Sequence, residues 1–255
     1  MDMLATGIPA ALVEAAERQL RIDLAAAFRL AVFFDWHESV GNHFSAALSD
    51  DGKRFLLNPK WQHFSTIRAS DLLRLDADDE GALSRDNAPD ASAWCIHGAL
   101  HGAVPRARVV LHCHPPYATA LCGLQNPTIQ PIDQNTARFF NRVAIDTGFD
   151  GIADEQAEGL RLAAALGDND VMLMGNHGLT VIGQSVAQAF EALYFMERAC
   201  RTMVLAYATG QPLNVMPEAL AEKTARGWDA YAGMADAHFS QLKNMLDKSD
   251  PSYRD

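Results

Sequence analysis

The feature that most constrains the fold is an apolar run, Val109-Val110-Leu111, followed directly by His112-Cys113-His114-Pro115-Pro116. An apolar run that stops at prolines predicts a buried β-strand. Because successive side chains on a strand point to opposite faces, His112 and His114 share one face and Cys113 points away. At this spacing two imidazoles can hold one metal ion, although they can also be two satisfied polar side chains.

A third histidine favours the metal interpretation. Residues 171–183 predict two apolar strands joined by a tight Gly175-Asn176-His177-Gly178 turn, which places His177 at a strand end. Three neutral imidazoles with an open fourth position are typical of a catalytic divalent-metal site. We therefore predict that His112, His114 and His177 bind one divalent ion. Zn is the preferred metal, and Mn and Fe are alternatives.

Several motifs resemble those of the class II aldolase/adducin family, and the similarity extends from about Ala25 to the C-terminus. The motifs are Gly41-Asn42-His43-Phe44-Ser45, Phe55-Leu56-Leu57-Asn58-Pro59, His112-Cys113-His114-Pro115 and Gly175-Asn176-His177-Gly178, in the family's order. The ending Asp250-Pro251-Ser252-Tyr253-Arg254 is similar to the tail of the adducin-like bacterial branch. The resemblance implies an α/β fold of α/β/α type, with a mainly antiparallel central sheet covered by helices. It also implies a homotetramer with active sites between subunits.

Composition limits the class of partner and the compartment. The 255 residues are 49% hydrophobic, enough for one domain over 1–255 with a helical lead-in over about 1–34 and a helical C-terminal extension over about 211–255. A net charge of −11 argues against nucleic acid or an anionic membrane as partner. The four cysteines show no disulfide or metal-binding spacing, and no signal peptide is visible. We therefore expect a cytoplasmic protein that acts on a small molecule.

Helical and strand patterns alternate along the chain. We predict helices over Ala10–Phe34, from an Asp90 cap to about Val104, directly after Pro115-Pro116, and over Asp154–Leu166, Ser185–Thr209 and Glu218–Leu246. Strands are predicted over Val143–Asp146 and in a hairpin of His43–Leu48 with Arg54–Leu57. Asp78–Asn87 is predicted to be an exposed loop.

The chain departs from the family at the position of the catalytic acid/base. The sugar-phosphate aldolases carry a Glu on the helix before the His-x-His strand, and alignment on Trp94 and His97 puts Ala93 there. Loss of a positioned acid/base typically costs about 10²- to 10⁴-fold in rate. Glu80 is the nearest upstream carboxylate, but it lies in the predicted loop.

Phosphate recognition is also altered. Where the family has small residues around the phosphate, this chain has Pro59-Lys60-Trp61 and Ala91-Ser92. The substrate is therefore predicted not to be a sugar phosphate. Asn42, Lys60, Trp61 and Ser92 are the predicted substrate-binding residues: Lys60 would pair with a carboxylate and Trp61 would cover an apolar group. A surface lysine and a packing tryptophan are the alternatives.

Two residues are candidates to replace the missing carboxylate. His101 lies on the same predicted helix face as Ala93 and His97 and could carry a proton, or it could be a solvated helix histidine. Asp133 lies near the position from which the aldolases reach a neighbouring subunit's site, or it could form a turn. His97 is predicted to have a structural hydrogen-bonding role.

These features favour metal-assisted carbon–carbon cleavage. A divalent ion acting as a Lewis acid stabilises an enolate, and loss of CO₂ needs no prior deprotonation by the protein. We predict a decarboxylase or retro-aldol lyase acting on a non-phosphorylated carboxylic or hydroxy-carbonyl substrate. A non-haem iron oxygenase with the same three histidines stays open. A non-catalytic adducin-like scaffold also stays open: Ala93 favours it, and three convergent histidines oppose it.

Overall fold

Strands from most of the chain's length form one mixed sheet in the computed structural model, which describes residues 9–79, 81–149, 151, 155–231 and 233–255. The strands are β1 (His43–Ala47), β2 (Arg54–Leu57), β3 (Leu73–Asp76), β4 (Val109–Cys113), β5 (Val143–Asp146), β6 (Val171–Met174) and β7 (Gly178–Gly183). Their order is β3-β2-β1-β4-β7-β6-β5. Every neighbouring pair is antiparallel except β5 and β6.

Helices cover both faces of this sheet. They are α1 (Ala10–Phe33), α2 (Ala91–Ala103), α3 (Pro116–Cys122), α4 (Gln134–Ala137), α5 (Gln156–Leu166), α6 (Val186–Ala208), α7 (Glu218–Asp229) and α8 (Met234–Ser249). Short 3-10 turns span Phe64–Thr66, Ala69–Asp71, Ala82–Ser84 and Pro251–Arg254. One face packs against α1, α3, α6 and α8, and the other packs against α2 and α5. The predicted α/β/α fold with a mainly antiparallel sheet is confirmed.

The central strand β4 divides its side chains between the two cores. Val109, Leu111 and Cys113 belong to the larger core beneath α1 and α6, whereas Val110 faces α2 and α5. All five residues of β4 are buried, as expected for a strand covered on both faces. The prediction that Cys113 points away from its neighbouring histidines is therefore confirmed.

The structure differs from the local predictions at one strand and one helical segment. Strand β3 was not predicted, because the alternation of Leu73 and Leu75 with the charged Arg74 and Asp76 is too short to indicate a strand; pairing with β2 holds it. The single helical pattern over Glu218–Leu246 is two helices, α7 and α8, and Gly233 before α8 has a φ of +85°. The start of the predicted helix at Asp154 lies outside the described residues, as does Glu80.

Among the helices of the described residues, none is long and apolar enough to cross a lipid bilayer.

Candidate metal centre and its pocket

The pairing of β4 with β7 brings the three predicted histidines together. In this register His112 lies opposite Thr180 and Cys113 lies opposite Leu179, so the turn that carries His177 stands beside the end of β4. One ring nitrogen from each of His112, His114 and His177 lies within 4.8 Å of the others. His112 is buried, and the other two are half-buried at the surface of a cavity. The structure thus places all three imidazoles in one cluster.

Hydrogen bonds fix which nitrogen of His112 is available. Its Nδ1 lies 3.0 Å from Oγ1 of Thr180, and this hydroxyl donates its own proton to Sδ of Met174 at 3.2 Å. The hydroxyl oxygen therefore accepts from Nδ1–H of His112. Burial lowers the pKa of His112 well below its ordinary value, so the ring is neutral and Nε2 carries a lone pair.

His114 is held in the same tautomer by a carboxylate. Its Nδ1 donates to Oε2 of Glu38, because a carboxylate can only accept. Nε2 of His114 lies 3.3 Å from Nε2 of His112. Two nitrogens at that distance share either a proton or a metal ion, and both rings can offer Nε2 to the same ion. The donor set therefore fits a divalent ion held by Nε2 atoms whose rings are oriented from behind.

His177 completes the cluster from the β6–β7 turn. Asn176 before it has a left-handed backbone with a φ of +57°, and the amide of Asn176 donates to the carbonyl of Cys122. Burial, together with the neighbouring His114, lowers the pKa of His177 to about 4, so this imidazole is also neutral near pH 7. A neutral ring is the form that binds a metal.

The cluster lies between two adjoining cavities of about 300 and 380 Å³. Both cavities are lined by His43, Ser92, His114 and His177. The first also contains Asn42, Lys60 and Trp61, so all four predicted substrate-binding residues reach the pocket. Two carboxylates also line these cavities, Asp90 in the first and Glu38 in the second.

Asn42 and Trp61 have unusual backbone geometry at this pocket. Both have positive φ, +68° and +61° respectively, which costs energy outside glycine and is common at ligand sites. Oδ1 of Asn42 is buried without a hydrogen-bond partner. Trp61 is 73% exposed, and Nζ of Lys60 lies over its ring at 4.5 Å. The packing role considered for Trp61 is therefore not what the structure shows.

The structure does not bring His101 into the pocket. His101 is only 3% exposed, and its ring nitrogens contact Oγ of Ser45 and the carbonyl oxygen of Ala107. The alternative of a solvated helix histidine is wrong, because this face of α2 packs on β1 and β4. His101 lies in the protein interior with both nitrogens occupied, which argues against direct action on a substrate.

Asp133 and Ala93 also have structural placements. Asp133 is the N-cap of α4, and its Oδ1 accepts from the amide of Thr136 at 2.7 Å. Its turn-forming role is therefore the one present in this chain. Ala93 is 1% exposed in an apolar cluster with Phe55 and Leu57, while Ser92 beside it faces the pocket.

Sequence reasoning missed the residues that orient the histidines. Thr180 had a usable signal, because it lies at alternating spacing from Gly178 on a predicted strand beside the His-x-His strand. Glu38 had none, since it lies in a loop after α1 and 76 residues away from His114. Asp90 was predicted only as a helix cap, which it is, accepting from the amides of Ser92 and Ala93.

Comparison with known proteins agrees with this geometry. Residues 22–204 match the model of the family described as Class II Aldolase and Adducin N-terminal domain. A Caulobacter vibrioides protein that carries an aldolase class 2 name is 30% identical over 252 residues, covering 95% of each chain. The decarboxylase NovR of Streptomyces niveus is 28% identical over 71% of this chain and 68% of that protein.

A solved structure shows the same likeness in three dimensions. The aldolase II superfamily protein from Pseudomonas syringae superposes with a TM-score of 0.85 and 33% identity, covering 94% of this chain and 96% of that chain. Fold, motif order and family match agree over most of the length. The chain belongs to the class II aldolase and adducin family.

Proposed function

We propose that this protein is a divalent-metal-dependent lyase that cleaves a carbon–carbon bond of a non-phosphorylated carboxylic or hydroxy-carbonyl substrate. The observation that carries the proposal is the cluster of three imidazoles, in which one ring nitrogen from each of His112, His114 and His177 lies within 4.8 Å of the others. A scaffold has no need of three convergent imidazoles at the surface of a cavity. Zn is the preferred ion, with Mn or Fe as alternatives.

A bound divalent ion would supply Lewis acidity, stabilising negative charge on a substrate oxygen as the bond breaks. The chain's own residues would bind and orient the substrate. Lys60 lines the pocket, and its ammonium, which lies over the Trp61 ring, would pair with a substrate carboxylate; the buried Oδ1 of Asn42 requires a donor. The exposed ring of Trp61 can cover an apolar part of the substrate.

A decarboxylation fits the residues of this chain better than a sugar-phosphate aldol cleavage. Position 93 holds a buried methyl group, so the family's carboxylate is absent there. The similarity to the decarboxylase NovR also supports a decarboxylation. A retro-aldol reaction on a non-phosphorylated hydroxy-carbonyl compound stays within the proposal, as does a cytoplasmic homotetramer with sites between subunits.

The experiment that tests the proposal starts with metal content. Protein purified without added metal is analysed by elemental mass spectrometry, beside His112→Ala, His177→Ala and the control His238→Gln, a histidine on α8 that contacts Glu191. We expect about one Zn, Mn or Fe per chain in the wild type and control, and loss in both pocket variants. If the protein binds no metal, even after reconstitution, the proposed lyase activity is overturned and the non-catalytic scaffold is the remaining hypothesis.

The second stage distinguishes lyase from oxygenase. The metal-loaded protein is incubated with panels of hydroxylated aromatic acids and hydroxy-ketones while CO₂, aldehydes and O₂ are measured. Product without O₂ consumption supports the lyase. Product that requires O₂ and bound iron supports the oxygenase alternative, with which the three histidines are also compatible.

A further inference from the structure

A chain of hydrogen bonds runs from the pocket into the interior beneath α2. Nδ1 of His43 lies 2.8 Å from Nε2 of His97, whose Nδ1 contacts Oγ of Ser45. The same Oγ lies 2.7 Å from Nε2 of His101, and Nδ1 of His101 lies 2.6 Å from the carbonyl oxygen of Ala107. His43 and Ser45 share one face of β1, and His97 and His101 are one turn apart on α2, so the two elements interlock through these groups.

The three imidazoles in this series of hydrogen bonds are neutral near pH 7. His43, His97 and His101 are 6%, 0% and 3% exposed. Burial disfavours the charged form of all three rings, and it lowers the pKa of His101 to about 4. It also lowers the pKa of His97 well below its ordinary value. Each ring therefore carries one N–H and one lone pair.

The carbonyl of Ala107 sets the direction of every bond. A carbonyl can only accept, so Nδ1 of His101 carries the proton and its Nε2 accepts. Ser45 gives its single proton to that Nε2, so its oxygen accepts from Nδ1–H of His97. Nε2 of His97 then accepts from Nδ1–H of His43. Nε2 of His43 is thereby left with a lone pair.

This lone pair is at the pocket. His43 lines both cavities, and its ring stacks on that of His112 with centroids 4.8 Å apart. Oγ of Ser92 lies 3.5 Å from Nε2 of His43. However, the hydroxyl of Ser92 lies 2.7 Å from Oδ1 of Asp90 and gives its proton to that carboxylate. The lone pair of His43 is left for a donor bound in the cavity.

We infer that Nε2 of His43 accepts a hydrogen bond from a hydroxyl group of the bound substrate, so that the pocket selects hydroxy acids over analogues whose hydroxyl is methylated. His43 is then a substrate-binding residue. His97, Ser45 and His101 are positioning residues that hold its tautomer. The substrate class rests on the proposed function, in which a metal-bound acid lies in this pocket. The tautomer of His43 does not depend on the proposed function.

The tautomers can be measured directly in metal-free protein. Long-range ¹H–¹⁵N correlation spectra of the full-length chain in chelator distinguish protonated from unprotonated ring nitrogens, and single His→Gln variants assign them. We expect protonated Nδ1 and unprotonated Nε2 in His43, His97 and His101. Ser45→Ala interrupts the series of hydrogen bonds and should give His43 a mixture of tautomers. The control Ser49→Ala, a buried serine near the other end of the hairpin, should not change the spectra.

Ligand selectivity is the second readout. Glycolate and its methyl ether, methoxyacetate, are titrated into zinc-loaded wild type, His43→Phe, Ser45→Ala and Ser49→Ala, with circular dichroism as the check of folding. The preference for glycolate should be about 3- to 10-fold larger in the wild type and Ser49→Ala than in the other two, the ratio expected for one net hydrogen bond.

The outcomes separate the two proposals. A protonated Nε2 of His43 in the wild type overturns the inference whether or not the protein binds metal. The expected tautomer with an unchanged glycolate preference in His43→Phe overturns hydroxyl recognition, leaving the lone pair to solvent. Failure to bind zinc overturns the proposed function and, with it, the substrate class, while the tautomer result stands by itself.

Discussion

The backbone of Gly178 lies against the imidazole of His114, so closely that a Cβ on residue 178 would come within 2.5 Å of Cδ2 of His114 and 2.9 Å of the carbonyl oxygen of Cys113. Real Cβ atoms do not approach other atoms so closely, so the first position of β7 needs glycine for steric reasons. This close approach is what lets the β6–β7 turn stand beside the end of β4.

The first prediction follows from that contact. Gly178→Ala should push the His114 ring away from His112 and His177 and weaken zinc binding about tenfold or more, while the fold is retained. Competition with a chromogenic chelator measures the affinity. Gly98→Ala on α2 is the control, because a Cβ there meets nothing within 4 Å. Equal zinc affinity in both variants would show that the contact does not position His114.

The second prediction concerns Glu38. Its carboxylate accepts from Nδ1–H of His114, which orients the ring and makes its Nε2 more basic. Glu38→Gln keeps an acceptor but removes the charge, and Glu38→Ala removes both. We expect metal affinity to fall about 10-fold in the first and toward 100-fold in the second. Glu14→Gln, an exposed change on α1, controls for net charge, and an unchanged affinity in Glu38→Ala would contradict the role.

The third prediction concerns Thr180. Thr180→Val keeps the branched shape on β7 but removes the hydroxyl that accepts from Nδ1–H of His112. His112 would lose the bond that fixes its tautomer, so metal affinity should fall about 10- to 100-fold. Thr202→Val on α6, which removes a hydroxyl bonded to the carbonyl of Arg198, is the matched control. Identical metal content and affinity in the two variants would show that Thr180 does not orient the His112 ring.

The fourth prediction is a loss of stability in acid. Because burial lowers the pKa of His101 to about 4 from 6.5, the unfolded chain takes up a proton at higher pH than the folded chain. The stabilisation is complete above about pH 6.5 and is lost as the pH falls toward 4. One such group lowers the free energy of unfolding by about 2 kcal/mol between about pH 7 and pH 5.

Urea unfolding in the presence of chelator measures this dependence at both pH values. The pKa values of His43 and His97 are also lowered, so acidification should reduce the free energy of unfolding of the wild type by more than His101 alone would. His101→Gln should be less stable at pH 7 but should lose less stability on acidification than the wild type. A variant with the same pH dependence as the wild type would show that His101 is not the source.

Much of the fold was readable from local patterns. The cap at Asp90, the helical pattern over Ser185–Thr209 and the apolar run of β4 predicted their elements closely, because capping and periodicity depend on residues within a few positions. Strand β3 was missed, since an alternation of only four residues is too short to indicate a strand.

The sequence by itself determined the donor set of the candidate site: two histidines on one face of a strand end and a third in a tight turn. Tertiary structure alone decided how these groups are oriented. The β4–β7 register brings Thr180 to His112, the loop after α1 brings Glu38 to His114, and the packing of α2 on β1 buries His101 and turns Nε2 of His43 toward the pocket. The physical reason is that strand alternation is local, whereas tautomers and pKa values depend on partners that only long-range packing supplies.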